Sequence, residues 1–466
     1  MILRENTILG FKMTTLTKIK YSQLEDRFDS EYYRPEYLEI RHELDHVKNK
    51  NAMKDLFIIK DGDHAERARE FVKIGIRYLR AQDLKDGFID DSESVFVSKE
   101  VFDSLKRSHI YPRDILFSIM GATDKISIYP EKYPIVTANR AIAILRVRNS
   151  RILNPYFVFS FLRSKYGFKQ IIRNKKGGVQ KRINLDDFYD ILIPIPPQSL
   201  QLHIEKLVKE AFSKRKLAEE KYEQAKQLLE KELGLDKLQL KEEKTFEANF
   251  SNLNKNLRFD SEYYKPKYKQ ITEFLKNSGF EVRKLKDVVK ISNEKIDPTK
   301  EPTKNFKYIE IGDVNISTGE ISVKEIYGRD APPNAKKILK EGDVIISIVR
   351  PTRGAITVIP TELNNSVGTS AFVVCGTEKP FREYLSIFLK SSLGLGQLEK
   401  PISSSMYPTI KEDDVKNLLI PILPKPKQEK ISTLVRESFS LRKESKNLLE
   451  KSKKVVERAI ENGTRK

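Results

Sequence analysis

A chain of 466 residues is too long for one ordinary hydrophobic core and implies two to four domains. Its 39% hydrophobic content suffices to fold, while 33% charged residues, no Trp and no apolar run near the ~20 residues of a bilayer span exclude an integral helical membrane protein. The 86 Lys and Arg against 66 Asp and Glu leave a net charge of +20, which attracts phosphate polyanions, and the single Cys375 excludes an intrachain disulfide or a cysteine metal cluster and fits a reducing cytoplasm.

Residues 1–20 read as an N-terminal extension: Met1 to Phe11 has too short an apolar core and no small-residue cleavage pattern for a signal peptide, and Met13 is an alternative translation start. Residues 21–197 form a first globule. It opens on Arg27-Phe28-Asp29-Ser30-Glu31-Tyr32-Tyr33-Arg34-Pro35-Glu36-Tyr37, where Asp and Ser suit a helix cap and Arg27 suits an ion pair with a neighbouring acid. A helix over Pro35 to Lys48 follows, with Tyr33, Tyr37, Ile40, Leu44 and Val47 as its apolar stripe. Runs such as Ile142-Ala143-Ile144-Leu145-Arg146-Val147, bounded by turn residues, read as strands, and Pro155 to Arg173 reads as one amphipathic helix.

Gln198 to Leu235 is a long charged helix, within a segment of residues 198–236. Ile204, Val208, Ala211, Arg215, Ala218, Tyr222, Ala225 and Leu229 lie on one stripe at alternating four- and three-residue steps, the spacing of a coiled-coil seam with one Arg interruption. Residues 237–256 are polar, rich in Lys and Glu, and read as a linker.

Residues 257–424 repeat the first globule. Arg258-Phe259-Asp260-Ser261-Glu262-Tyr263-Tyr264-Lys265-Pro266-Lys267-Tyr268 matches the opening segment at an offset of 231, differing at Lys265 and Lys267. Tyr308 to Asp313 answers Tyr78 to Asp83, and Asp343 to Ile348 answers Asp114 to Ile119. Ile410, Asp413, Asp414 and Leu419 to Ile422 answer Ile183, Asp186, Asp187 and Leu192 to Ile195, the offset drifting from 230 to 227 as loops of unequal length require. Ala371 to Val374 reads as a strand, and Pro266 to Asn277 and Arg382 to Leu393 as helices. The last segment, residues 425–462, is a second long helix. Its seam of Ile431, Val435, Ser438, Arg442, Ser445, Leu449, Ser452 and Val456 lies 227 positions after the first. Each half is thus an α+β globule of roughly 170 residues followed by a helix, and the matching seams suit each other. Arg215 and Arg442 are expected beside Glu residues of the facing helix, with Lys206, Lys214, Lys221 and Lys226 on the free outer face.

The Arg-Phe-Asp-Ser-Glu-Tyr-Tyr-x-Pro opening, the Ile-Pro-Ile close and Gln201 or Gln428 leading a long helix all occur twice, over roughly residues 21–462. In that order they closely resemble the specificity subunit of a type I restriction-modification enzyme. The resemblance implies an α+β fold of two tandem target recognition domains, related by a pseudo-two-fold axis and separated by a long antiparallel two-helix coiled coil. It implies a non-catalytic DNA-binding subunit, each domain reading one half of a bipartite double-stranded DNA target while the helices set the spacing and dock methyltransferase subunits. The assembled complex, with methyltransferase and restriction subunits, would use S-adenosylmethionine, ATP and Mg2+, none bound by this subunit, and would serve cytoplasmic host defence. A helix of ~36 residues is ~54 Å long, more than one B-DNA turn of ~34–36 Å, so two heads held by it would touch separated half-sites.

Base reading calls for Arg, Lys, Asn and Gln on loops, with further cations on phosphates. In the first half the leading candidate is Asn174 to Arg182, where Lys175, Lys176, Gln180, Lys181 and Arg182 surround Gly177 and Gly178, glycines that admit close backbone approach. A solvated flexible loop would carry the same composition. Its counterpart, Pro401 to Pro408, offers Ser403, Ser404 and Tyr407. A second candidate follows the Ser118 strand, with Lys125, Asn139 and Arg140; its repeat carries Arg350, Arg353, Asn364, Asn365, Thr369 and Ser370. The third is Lys60 to Arg69, with His64, Arg67 and Arg69, equally readable as an exposed basic loop. The halves differ most in these loops while keeping the framework, as readers of different half-sites would.

Catalytic patterns are weaker. His42-Glu43-Leu44-Asp45-His46 fits the H-E-x-x-H zinc-protease helix. Both histidines lie off the apolar stripe, however, the second copy has Glu273 and Asn277 in their places, and no third ligand stands out among His64, His109 and His203. Asp186-Asp187 and Asp413-Asp414 read as caps rather than metal ligands. There is no phosphate-binding loop, no third glycine beside Gly394-Leu395-Gly396 and no Asn-Pro-Pro-aromatic segment of amino-methyltransferases. The alternative left open is a coiled-coil scaffold whose basic globules bind proteins or RNA.

Overall fold

A computed structural model describes residues 2–8, 11–17, 19, 24, 28–65, 70–121, 124–175, 182–238, 240, 245–247, 258–403 and 406–464. Two compact units divide the chain, one of Met1–Lys214 with Glu444–Lys466, the other of Arg215–Lys443, so that the division passes through both long helices.

The first unit begins with a hairpin of β1 (Ile2–Ile8) and β2 (Phe11–Thr17), paired from Ile2 with Thr17 to Ile8 with Phe11. Helix α1 (Pro35–Asp45) starts on Pro35, whose missing N–H is harmless in a first turn, and buries Tyr37, Ile40 and Leu44. It stops short of the expected Lys48. The Lys50 ammonium takes the carbonyls of Asp45 and Val47 at 2.7 and 2.9 Å, which satisfies the helix end and turns the chain into β3 (Lys50–Ala52). There follow the single turn α2 (Met53–Leu56), β4 (Phe57–Asp61), β5 (Ile76–Leu79), β6 (Val95–Val97), α3 (Lys99–Ser104), β7 (His109–Ile110), β8 (Ile115–Ser118), β9 (Ile126–Ile128), β10 (Val136–Ala138) and β11 (Ile142–Val147). They build two sheets, β4-β11-β8-β9, wholly antiparallel, and β6-β5-β10-β7, in which β5 and β10 run parallel.

Strands β8 and β11 lack polar alternation because both their faces are covered. Ile115, Phe117, Ala143 and Leu145 face the core shared with the helices, while Leu116, Ile142 and Ile144 face Leu79, Ile110 and Val136. Burying each Leu, Ile or Phe among them contributes roughly 1.5–3 kcal/mol. The helix expected over Pro155 to Arg173 is broken into α4 (Pro155–Arg163) and α5 (Lys165–Ile172). Ser164 adopts an extended backbone and its hydroxyl caps the Gly167 N–H, and a Cβ on Gly167 would sit 2.3 Å from the Phe161 carbonyl oxygen, so only glycine lets the second helix fold back this tightly. Strand β12 (Leu192–Pro194) pairs with β3 and leads into α6 (Gln198–Leu233).

The second unit repeats this plan: α7 (Pro266–Lys276), β13 (Glu281–Lys284), β14 (Lys290–Ile291), β15 (Asn305–Ile309), β16 (Lys324–Tyr327), β17 (Ala335–Leu339), β18 (Val344–Ser347), β19 (Ile356–Val358), β20 (Ser366–Thr369), β21 (Phe372–Gly376), α8 (Phe381–Leu389), α9 (Ser392–Glu399), α10 (Glu412–Lys416) and β22 (Leu419–Ile422). Its sheets run β14-β21-β18-β19 and β16-β15-β20-β17, with β15 and β20 parallel, in the same order as the first. The helix expected over Arg382 to Leu393 breaks at Ser391 for the reason given for Ser164: its hydroxyl caps the Gly394 N–H, and Gly394 lies against the Leu389 backbone. Gln170 and Gln397 repeat one another as well, each amide pairing with both backbone groups of a single strand residue, Leu192 and Leu419.

Helix α11 (Lys425–Thr464) packs antiparallel on α6 in both units, since partner numbers fall on one helix as they rise on the other. In the first unit Lys214 meets Glu444 at 2.6 Å and the Ser445 hydroxyl donates to the Ala211 carbonyl at 2.6 Å. In the second, Lys221 meets Glu437 at 2.8 Å, Glu232 meets Lys427 at 2.5 Å, and the Ser438 hydroxyl donates to the Ala218 carbonyl at 2.7 Å. Apart from the two arginines, every seam residue named from the sequence is a buried apolar or a buried serine. Lys214 and Lys221 pair across the seam and Lys226 pairs with Glu223, so these three are engaged rather than free on an outer face. Gln201 and Gln428 root the helices, donating to carbonyls of the preceding loop at Pro196 and Leu423.

Glu219 of α6 lies 3.5 Å from Arg215 on its own helix and is near enough to act on Arg442 of the facing one, but a carboxylate from outside the helices joins the two seam arginines. Both take Glu320, which a turn between Val314 and Ile321 carries to the helices, with Arg215 at 2.7 Å and Arg442 at 3.2 Å. Burial pushes the Glu320 carboxyl up, but the two guanidinium groups outweigh it and hold it below its ordinary value. In the first unit the matching turn instead presents Phe88, edge-on to Phe212 of α6. A second asymmetry lies at the ends of the equivalent helices α4 and α8. There Arg163 is held by Asp86 and Glu450, whereas Lys390 buries its ammonium 5.6 Å from the Tyr222 ring without a hydrogen-bond partner among the described residues. Burial, with Arg442 and Lys226 near by, pushes the Lys390 pKa down to about 7.

Candidate nucleic-acid interface

Antiparallel pairing in the β4-β11-β8-β9 sheet puts the end of β4, the start of β11, the end of β8 and the start of β9 on one edge. There the Arg140 N–H donates to the Asp63 carbonyl at 2.7 Å, and the Ile119 N–H to the Ala141 carbonyl at 2.9 Å. The Ser118 N–H donates to the Lys125 carbonyl at 3.0 Å, Met120 bridges to Arg182, and the Ile183 N–H donates to the Ile119 carbonyl. His64, Lys125, Asn139, Arg140 and Arg182, scattered in sequence, therefore converge. Arg140 and Arg182 are exposed and Lys125 is half-buried. Gly62 is essential to this edge, because a Cβ there would lie 2.1 Å from the Asn139 carbonyl oxygen.

His64 is not a free reader: its Nε2 lies 2.6 Å from the buried Asp61 carboxylate, which also takes Arg107 at 3.0 Å. Arg107, exposed on the same edge, belongs to no motif and carries no sequence signal. Lys175 follows α5, and the neighbouring Asn174 amide ties that helix end to the carbonyls of Gln170 and Asp187. Lys176, Gly177, Gln180, Lys181, Arg67, Arg69 and Ser404 lie outside the described residues.

The second unit builds the corresponding edge from the ends of β18 and β21. The Ile348 N–H donates to the Ala371 carbonyl at 3.0 Å, Val349 bridges to Thr409, and the Ile410 N–H donates to the Ile348 carbonyl. Arg350 sits here at φ 47° and ψ 52°, a left-handed conformation that non-glycine residues avoid and that the following Pro351 restricts further. Such a residue stores roughly 1–3 kcal/mol of strain. It is held because its N–H donates to the Pro408 carbonyl at 2.7 Å and its guanidinium lies 5.8 Å from the Tyr407 ring. Arg353, Ser370, Ser403 and Tyr407 are exposed around it. Asn364 and Asn365 are not part of this edge. They precede β20 whereas Ser370 follows it, a strand of four residues or roughly 13 Å away. The Asn364 side chain accepts the Glu341 N–H at 3.0 Å and Asn365 has φ 60°, so both shape a turn.

The twice-repeated opening segment caps short helical turns, the Asp29 and Asp260 carboxylates accepting the N–H groups of Tyr32 and Tyr263 at 3.1 Å. Asp187 and Asp414 are caps too, accepting from Asn184 and Lys411 at 2.8 Å. In the H-E-x-x-H segment Glu43 accepts the Tyr166 hydroxyl and His46 faces the His42 carbonyl at 2.7 Å, which gives both residues structural partners. Among the described residues no group of three or more His, Cys, Asp or Glu is placed to hold a metal ion, and no helix is long and apolar enough to cross a membrane.

A family model described as the type I restriction modification DNA specificity domain matches the chain twice, over residues 48–227 and 277–451. Over 143 residues the chain is 30% identical to the type I restriction enzyme EcoBI specificity subunit of Escherichia coli, a match covering 30% of this chain and 30% of that protein. Over 427 residues it is 22% identical to the putative type I restriction enzyme MjaX specificity subunit of Methanocaldococcus jannaschii, covering 87% and 90% respectively. Among solved structures, the S subunit of a type I restriction-modification system from M. genitalium aligns with a TM-score of 0.43 at 13% identity, covering 88% of this chain and 94% of that one. The HsdS subunit of Thermoanaerobacter tengcongensis aligns with a TM-score of 0.30 at 15% identity, covering 88% and 96%.

Proposed function

Because the chain belongs to the type I restriction-modification DNA specificity family, with two copies of its domain, we propose that it reads a bipartite double-stranded DNA target, one half-site per unit. Specificity subunits are the non-catalytic members of their complexes, and this chain is one of them. The observation that carries the reading is the repeated sheet edge. Equivalent strand ends gather donors in both units, yet the first offers exposed Arg140 and Arg182 with half-buried Lys125, and the second Arg350, Arg353, Ser370, Ser403 and Tyr407. A shared frame with different donors is what two different half-sites require. On this reading the excess of 20 positive charges binds phosphates without regard to sequence, and the loops supply the discrimination.

In the same proposal residues 21–197 and 257–424 are the recognition domains. Residues 198–236 and 425–462 form the ruler between half-sites and dock methyltransferase subunits, residues 237–256 link the repeats, and residues 1–20 extend the N-terminus. The assembled cytoplasmic complex, with restriction subunits, would draw on S-adenosylmethionine, ATP and Mg2+ bound by its other subunits. Selection from a randomised duplex library, with the methyltransferase partner present, tests this: two short conserved blocks separated by a fixed unconserved spacer are expected. Enrichment of a single contiguous block, or of none, refutes it.

A further inference from the structure

The eleven-residue segment that opens each repeat does more than cap a helix. In the second unit Arg258 donates through Nη1 to the Pro401 carbonyl and through Nη2 to the Ile402 carbonyl, both at 3.0 Å. The same guanidinium is clamped by Asp260, at 2.6 and 2.9 Å, and lies 4.8 Å from the Tyr263 ring. Lys400 approaches that ring too, at 4.8 Å, so Tyr263 receives two cations. The Tyr264 hydroxyl donates to the Arg258 carbonyl at 2.9 Å and fixes the arginine's own backbone. Pro401 and Ile402 are the root of the loop whose far end, at Pro408, accepts from Arg350. In the first unit Arg173 occupies the position of Lys400, at the root of the loop before Arg182, and lies 3.8 Å from the Tyr32 ring.

Resting on the function proposed above, we infer that Arg258 and Tyr263 are positioning residues for base recognition, fixing the root of the second unit's loop at Pro401 and Ile402, while Tyr32 fixes Arg173 at the end of α5 in the first unit. The chemistry explains why an almost unchanged segment can serve two different loops. Arg258 addresses main-chain carbonyls, which do not depend on the loop's side chains, and the aromatic ring accepts either Arg or Lys. The loop sequence is then free to diverge while its root stays in place. Because base reading is lost with displacements on the order of 1 Å, a loosened root removes discrimination before it removes the phosphate contacts that dominate affinity.

The test uses the full chain with its methyltransferase partner on duplexes altered in one half-site at a time. In Arg258→Met and Tyr263→Leu the penalty for altering the second half-site falls at least tenfold, the first half-site penalty is unchanged, and Tyr263→Phe, which keeps the ring, behaves as wild type. Hydrogen exchange on the free chain supplies a readout without DNA: the amides of Arg350 and Ile410, which close the far end of the loop, exchange faster in Arg258→Met and Tyr263→Leu. Undiminished second-site discrimination with unchanged exchange overturns the inference, as does equal loss at both half-sites. If Arg258→Met does not fold, the Tyr263→Leu and Tyr263→Phe pair decides by the same criteria. A wild-type complex without half-site preference would refute the proposed function instead, while the exchange result still decides whether the loop root is held this way.

Discussion

Glu320→Gln keeps the shape of the side chain and removes the carboxylate that Arg215 and Arg442 share. Arg442 is 3% exposed and Glu320 is 32% exposed, so the site lies between two regimes. Removing one partner from a fully buried pair costs about 3–5 kcal/mol, and an exposed pair is worth under about 1 kcal/mol. For a carboxylate about one-third exposed, with hydrogen bonds at 2.7 and 3.2 Å, we expect about 2 kcal/mol. In a unit of this size that is a fall in Tm of roughly 4–8 °C. The loss depends on pH. The folded Glu320 value is lowered from 4.5, so the carboxylate contributes its stability above that value and surrenders it as pH falls through the folded value. Thermal unfolding at pH 7.5 and in acid checks both statements. A variant as stable as wild type at pH 7.5, or a difference that persists undiminished at pH 3, would refute the shared-carboxylate account of the seam.

Lys390→Met should raise Tm most at or below pH 7, because there the native state carries a buried charge with no hydrogen-bonded partner among the described residues, and the gain should vanish as pH climbs towards the ordinary lysine value of 10.5. Melts at pH 6 and pH 10 that show equal gains would rule this out. Gly87→Ala should destabilise the first unit by about 1–2 kcal/mol, read as a lowered denaturant midpoint, since Gly87 has φ 93° and an added Cβ would meet Leu449 at 2.6 Å. No change would mean that the turn relaxes freely. Arg350→Ala should relax base preference at the second half-site by about 1–3 kcal/mol; a uniform loss across all duplexes would mark it as a phosphate contact.

Periodicity carried far into the fold. Apart from half-buried Arg215, the seam from Ile204 to Leu229 and its twin from Ile431 to Val456 are buried as their spacing required, and β11 runs from Ile142 to Val147 as its apolar run implied. The breaks at Ser164 and Ser391 were hidden because the amphipathic pattern continues across them, while the cause is a serine cap followed three residues later by a glycine, a signal visible only once sought. Long-range pairing left less trace. Glu320 lies 105 positions from Arg215, and a turn, not the helix pattern, brings them together. Loop composition singled out Arg140 and Arg182, but their convergence on one edge of the first unit depends on strand order. The same composition grouped Asn364 and Asn365 with the loop around Arg350, whereas they shape a turn at the other end of β20.

In the function proposed above, one chain reads two half-sites at a separation set by its own helices. Insertion of four residues at the same level in α6 and α11 lengthens each by about 6 Å, on the order of two base-pair steps of ~3.4 Å. Library selection with the lengthened chain and its methyltransferase partner should return the wild-type half-site sequences with a spacer about one or two base pairs longer. Recovery of the original spacer at full affinity would contradict the ruler, and altered half-site sequences would contradict the assignment of reading to the two units.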